Sequence, residues 1–289
     1  MSSGKLADLT LFFVSAIWGL NIVAMKFLLA ELSPVNLVMV RFFSGSLLLF
    51  LLLIFFEDVR IPLMDFLYLC VLGVTGITAY QLLFVCGMKY TSATNAAILV
   101  NTSPIYGAML SRLLGLGKLT RKQVVCTLTG FLGVYVLITK GSFRLSGAHV
   151  KGDLLVVGSS LMWSFYTILS TRQLSRHSPL KVTTYAFITG SLALLPLIPM
   201  FLSVQEVERL SAKGWGWVFF TVLFAIVAGF FLWYWGIKQV GPSKALLFMY
   251  AVPVFSVLFA HFLLRESFYI SQAIGSLIVF TSIVVARRN

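Results

Sequence analysis

Ten long apolar runs set the terms for this chain, at about 9–29, 35–56, 66–87, 93–113, 122–139, 153–171, 180–202, 215–236, 243–263 and 270–286. Each is roughly 18–22 residues, enough to cross the ~30 Å hydrocarbon core as a helix. Peptide groups in lipid must be satisfied within the protein, which leaves helices or a closed β-barrel. Barrel strands alternate apolar and polar over ~10 residues, and these runs do not alternate. The expected fold is therefore an all-α membrane protein with ten transmembrane helices in contact with the lipid bilayer. Composition agrees, with 59% hydrophobic and 11% charged residues, against about 25% charged in a soluble domain. The first run lacks an A-x-A-like cleavage site and reads as a membrane helix, not a signal peptide. Cys70, Cys86 and Cys126 all fall inside runs without metal-like spacing and read as structural thiols.

The net charge of +13 suggests nucleic acid only until its placement is read. With ten spans both termini share one side, and thirteen of the 22 Lys and Arg fall there, densest from Arg112 to Lys122. Lys and Arg accumulate on the cytoplasmic side. Both termini are expected in the cytoplasm, and no nucleic-acid partner is implied.

An internal echo organises the chain further. SAIWGLNIVAMK (15–26) is followed 145 positions later by SLMWSFYTILST, sharing Trp18 and Trp163. The same offset aligns Ser33-Pro34 with Ser178-Pro179, Phe42 with Phe187, and Gly45-Ser46-Leu47 with Gly190-Ser191-Leu192. After the second loop the offset becomes 149, aligning Ala79 with Ala228, Gly87 with Gly236, Ala96 with Ala245, Pro104 with Pro253 and Gln123 with Gln272. The four added residues are placed in the polar connector VQEVERLSAKG (204–214). Residues 1–145 and 146–289 thus read as two five-helix repeats. Five is odd, so the second repeat enters the membrane inverted, the plan of many secondary transporters with substrate bound near the midplane.

All nine acidic residues lie in loops or at span ends, which argues against a simple carboxylate proton relay. No phosphate loop, zinc spacing or nucleophile elbow is present, so neither an enzyme nor a metal or other cofactor is implied. Mid-membrane residues are instead small, polar and aromatic: Trp18 and Asn21; Tyr80; Asn101 and Ser103; Trp163 and Tyr166; Trp233 and Tyr234; Tyr250. They can bind substrate or simply pack helices together. Pro104 and Pro253 each remove a mid-helix N–H at matched positions and free a carbonyl near 100 or 249, as gating elements or as plain kinks. Lys26 and Arg41 have no basic counterparts, their partners being Thr171 and Ala186. They read either as snorkelling groups paired with Glu31 or Glu266, or as attractors of a carboxylate at the outer mouth.

Trp18-Gly19 with Asn21 and Lys26, then Pro34 and Arg41, resemble the EamA-type drug/metabolite transporters. The closing stretch PVFSVLFAHFLLRESFYISQAIGSLIVF, with Pro253, Glu266, Gln272 and Gly275, is similar to that family's second-half signature. Two positions depart from it: Arg265 where Gly often precedes the Glu, and Gly117 where a first-half Glu is common. The resemblance implies a central cavity lined by spans 1, 3, 4, 6, 8 and 9, in a monomer or homodimer of the bacterial inner membrane. Within the family the chain is similar to bacterial aromatic amino-acid exporters. The expected function is alternating-access export of amino acids and related small-molecule metabolites. Efflux of cationic drugs, or a non-transporting membrane receptor, are the alternatives.

Overall fold

A computed structural model describes residues 3–91, 93–115, 120–140, 150–197 and 202–287. Among the described residues every regular element is helical. The first half runs through α1 (Ser3–Leu28), α2 (Pro34–Phe56) and α3 (Leu63–Tyr90). It continues with the shorter α4 (Ala93–Val100) and α5 (Ser103–Leu113), then α6 (Arg121–Thr139). The second half holds α7 (Val150–Leu174), α8 (Pro179–Leu192) and the single turn-and-a-half of α9 (Val204–Glu208). It closes with α10 (Ala212–Val240), α11 (Pro242–Leu264) and α12 (Ile270–Arg287). Outward-facing Phe55, Leu113 and Ile270 are exposed, as suits a surface solvated by lipid rather than water.

Eight of these helices are long and apolar enough to cross a membrane, where the sequence suggested ten. The shortfall has local causes. The run at 93–113 is split, because the Asn101 amide donates to the Ala97 carbonyl at 2.8 Å and the Thr102 hydroxyl to that of Leu99 at 2.6 Å. Such side chains compete with the backbone ladder. The run at 180–202 is regular helix only to Leu192, followed by a 3₁₀ turn at Leu195–Leu197 around Pro196. Residues 198–201 of that run lie outside the described residues, as do Gly117 and the expected repeat boundary at 145.

The prolines are placed differently from expectation too. Pro104 is the second residue of α5, a position where a missing N–H costs nothing. Pro253 is the third residue of regular helix after a 3₁₀ turn at Leu247–Tyr250. Both prolines therefore open a helical segment and do not kink the middle of one. Carbonyls released by these breaks are met from the facing helices: Val100 O accepts from Ser160 Oγ at 3.3 Å, and Phe248 O from Ser15 Oγ at 2.9 Å.

A second irregularity recurs in each half. Val74–Ala79 in α3 and Thr221–Ala228 in α10 wind as π-helix, and both end at residues matched by the 149 offset. A π turn misaligns its carbonyls from the i→i−4 ladder, and one of them, Ala225 O, accepts the Trp18 indole N–H at 2.9 Å.

Residues matched by the offsets meet across the halves. Ser46 Oγ lies 2.8 Å from Ser191 Oγ, and the Phe42 and Phe187 rings are 5.7 Å apart. Other contacts come in exchanged pairs. A Cβ on Gly45 would stand 2.7 Å from Ile226, and one on Gly190 2.5 Å from Ile77. Likewise a Cβ on Gly87 would stand 2.7 Å from Val156, and one on Gly236 2.6 Å from Leu11. Glu57 accepts from the Ser178 hydroxyl that caps α8. Its counterpart Glu206 accepts from Ser33 N at 2.7 Å and Asn36 Nδ2 at 2.6 Å at the start of α2. Those two donors, the Ser33 backbone foremost, hold the Glu206 carboxyl below its usual range.

The close approach of α3 to α8 leaves no room for a side chain. A Cβ on Gly73 would run into Thr189 Oγ1 and the Ala186 carbonyl and stand 2.7 Å from Gly190 N, whereas one on Gly216 meets nothing within 4 Å. Overpacking of this kind costs roughly 1–3 kcal/mol. Gly73→Ala is expected to lower the unfolding temperature in detergent by several degrees, while Gly216→Ala leaves it unchanged or slightly raised. Equal melting of Gly73→Ala and the parent protein would refute the packing described.

Candidate functional site

Four helices bring six of the expected aromatic side chains to one place. Trp18 comes from α1, Tyr80 from the turn of α3 that follows its π segment, Trp163 and Tyr166 from α7, and Trp233 and Tyr234 from α10. Trp163 is central: its ring centroid lies 5.8 Å from Trp18, 5.3 Å from Tyr80, 5.6 Å from Tyr166 and 6.3 Å from Trp233. Trp18 and Trp233 are 5.2 Å apart, Tyr166 and Tyr234 5.6 Å. Phe230, one helical turn before Trp233 or Tyr234, was not singled out by sequence, yet its ring fits between Trp18 at 5.4 Å and Phe187 at 4.7 Å. Its aligned residue is Gln81, so the repeat gave no signal there. All these rings are buried except Tyr80 and Phe230, which are half-buried.

Aromatic pairs contribute about 0.5–1.5 kcal/mol each beyond their buried area, so the cluster is a packed joint between the halves. It also carries polar handles. The Trp18 N–H is engaged by the α10 carbonyl, but the indole nitrogens of Trp163 and Trp233 find no acceptor among the described residues. Among the described residues no carboxylate belongs to the cluster.

Asn21 shares the Trp18 face of α1 and points to α2. Its Oδ1 accepts from Arg41 Nη2 at 3.0 Å, and Arg41 Nη1 lies 3.4 Å from Met25 Sδ. Arg41 is only 5% exposed and pairs with neither acid expected for it. Glu31 accepts from Ser211 N and Oγ, and Glu266 is taken by Lys26 at 2.6 Å. Lys26 thus has the partner expected, and beside this ion pair lies a cavity of about 100 Å³ lined by Ile22, Ser256 and Gln272 among others. That space suffices for a few waters.

The other sequence-predicted residues lie apart from the rings. Asn101 caps the end of α4, and Ser103 offers its carbonyl to Ser164 Oγ at 2.8 Å, joining the α4–α5 break to α7. Tyr250 is fully buried, with its hydroxyl on the Thr127 carbonyl of α6 at 3.1 Å. Pro104 and Pro253 follow these two sites within a few residues.

The hydrogen bonds separate tryptophans that composition makes equivalent. Trp18→Phe strands a buried carbonyl, whereas Trp163→Phe removes a donor that has no acceptor; an unmet buried group costs roughly 1–3 kcal/mol. Trp18→Phe is expected to lower the unfolding temperature more than Trp163→Phe. Trp163→Ala, which leaves a cavity costing about 3–5 kcal/mol, should lower it most. A Trp163→Phe variant less stable than Trp18→Phe would contradict the assignment.

Comparison with known proteins adds a family and relatives. The model of the EamA-like transporter family matches twice, over residues 5–139 and 150–288. An uncharacterized transporter of Bacillus subtilis, YyaM, is 30% identical over 270 residues, covering 90% of this chain and 87% of its own length. An uncharacterized transporter of Archaeoglobus fulgidus is 28% identical over 269 residues, covering 92% of each chain. One solved crystal structure superposes with a TM-score of 0.82 over 99% of this chain and 96% of its own, at 22% identity, a likeness of fold.

Proposed function

The chain belongs to the EamA-like transporter family, and we propose that it exports amino acids and related small metabolites across the bacterial inner membrane by alternating access. The observation that carries this reading is the aromatic cluster, drawn from α1 and α3 of one half and α7 and α10 of the other, with two indole N–H groups free to meet a substrate acceptor. Flat apolar faces with a few polar groups suit a small ligand bearing an apolar side chain. Such a cluster between halves is where an inverted-repeat transporter binds its cargo.

The exchanged contacts support an inverted repeat whose halves divide near residue 145. In a two-fold arrangement, residue i meeting j′ requires i′ to meet j. The Gly45–Ile226 and Gly190–Ile77 pair obeys this, as do Gly87–Val156 with Gly236–Leu11 and Glu57–Ser178 with Glu206–Ser33. With the split run at 93–113 and the run from 180 also crossing, the spans number ten. Efflux of cationic drugs is less favoured, because a cation at the cluster would sit beside buried Arg41.

Reconstituted vesicles provide the test. Purified protein loaded with unlabelled amino acids should drive counterflow of a labelled one, with a pH-sensitive dye inside reporting no stoichiometric proton movement, since no carboxylate belongs to the cluster. Absence of counterflow with any amino acid sinks the proposal. A fixed proton-to-substrate ratio sinks only the uncoupled mode and directs attention to Glu266, Lys26 and His261, whose Nδ1 lies 2.7 Å from the Glu266 carbonyl oxygen.

Topology is tested separately. In a background free of native cysteines, Lys5→Cys should be shielded from an impermeant thiol reagent in intact cells, and Glu208→Cys should be labelled. The reverse pattern, or labelling of both, refutes cytoplasmic termini with the connector outside.

A further inference from the structure

We propose that Arg41, with Asn21 and Tyr80 beside it, forms an anion subsite that takes the carboxylate of a substrate whose apolar part rests on the aromatic cluster. This rests on the transport reading and narrows it to organic acids, amino acids among them.

A guanidinium carries five N–H donors, and Arg41 uses two of them poorly. Nη2 meets a neutral amide oxygen, Nη1 meets a thioether, and Nε has no partner among the described residues. A charge removed from water costs several kcal/mol unless it is paired, and within a membrane such residues mark functional paths. Every acidic side chain that would be an obvious partner is engaged elsewhere. Glu31 is held by Ser211, Glu266 by Lys26, Asp65 by Arg176 and His177, Asp8 by Arg287, and Glu206 by Ser33 and Asn36. The planar fork that is left is suited to a carboxylate, which it can bind through two parallel hydrogen bonds.

The neighbours agree with an anion. Among the described residues Asn21 Nδ2 has only the Met25 sulfur at 3.7 Å as acceptor, so it is a second donor without a strong partner there. Asn21 sits one turn beyond Trp18 on the same face of α1. The Tyr80 phenol lies within electrostatic reach of the guanidinium, and its ring is 5.3 Å from Trp163. Arg41 is thus joined to the aromatic cluster from two sides, with the charge at one end and the rings at the other. The repeat shows that packing does not require the charge. The position matching Arg41 is Ala186, and that matching Asn21 is Tyr166, whose ring packs against Trp163 and Tyr234.

The matched probes phenylacetate and phenylacetamide differ in charge and hardly in shape. Binding to the purified protein in detergent is read from tryptophan fluorescence, which the cluster supplies. The acid is expected to bind at least about tenfold more tightly than the amide, the scale of a charge-assisted hydrogen bond. Arg41→Gln should abolish that preference, and Arg41→Lys should keep part of it. Equal binding of the two probes by the unaltered protein, no binding of either, or an acid preference that survives Arg41→Gln overturns the proposal. The parent-protein comparison stands even if the variants fold badly. Acid-selective binding without amino-acid counterflow would remove the transport reading and leave the subsite; counterflow without acid selectivity would remove the subsite alone.

Discussion

A peptide carbonyl without a partner in hydrocarbon costs several kcal/mol, and that single penalty decides where this chain is allowed to be irregular. Its helices break their regular winding at Val74–Ala79, Asn101–Thr102, Thr221–Ala228 and Leu247–Tyr250. Facing side chains meet carbonyls at three of these places: Ser160 at Val100, Trp18 at Ala225 and Ser15 at Phe248. The donors come from α1 and α7, the two matched helices that carry Trp18 and Trp163. Those helices therefore serve as the polar surface on which irregular segments are stabilised. The aromatic cluster sits there because the same faces hold both the hydroxyl donors and the rings.

Sequence periodicity could expose the echo because the matched residues are the ones the fold cannot replace cheaply. Gly45 and Gly190 have to be small for α2 and α8 to approach Ile226 and Ile77, and Ser33-Pro34 and Ser178-Pro179 start helices. Trp18, Trp163, Trp233 and Tyr166 were legible as mid-span aromatics, and the structure gathers them. Other features left no mark in a linear reading. A π turn has no residue signature, so the widening of α3 and α10 was invisible. Pro104 looked central because the apolar run hides the break made by Asn101 and Thr102. Phe230 was one Phe among 26, and only the packing of α10 on α8 and α1 distinguishes it. Arg41 was visible as a charge inside a span, but its partner could not be read, because Glu31 and Glu266 are committed to other groups.

The contacts that join the halves differ in how readily they can part. Gly133 and Gly275 bring α6 and α12 so close that a Cβ on either would lie within 3 Å of the other's carbonyl, and small residues at such a crossing give dense backbone packing. The ion pair of Lys26 with Glu266 is half exposed on both sides, and pairs of that kind contribute about 0–1 kcal/mol. Between these extremes lie the edge-to-face and tilted rings of the cluster. Alternation of access, in the reading proposed above, therefore has a stiff side at α6 and α12 and a weak latch where α1 meets the Glu266 loop. The cavity at Ile22, Ser256 and Gln272 opens beside that latch.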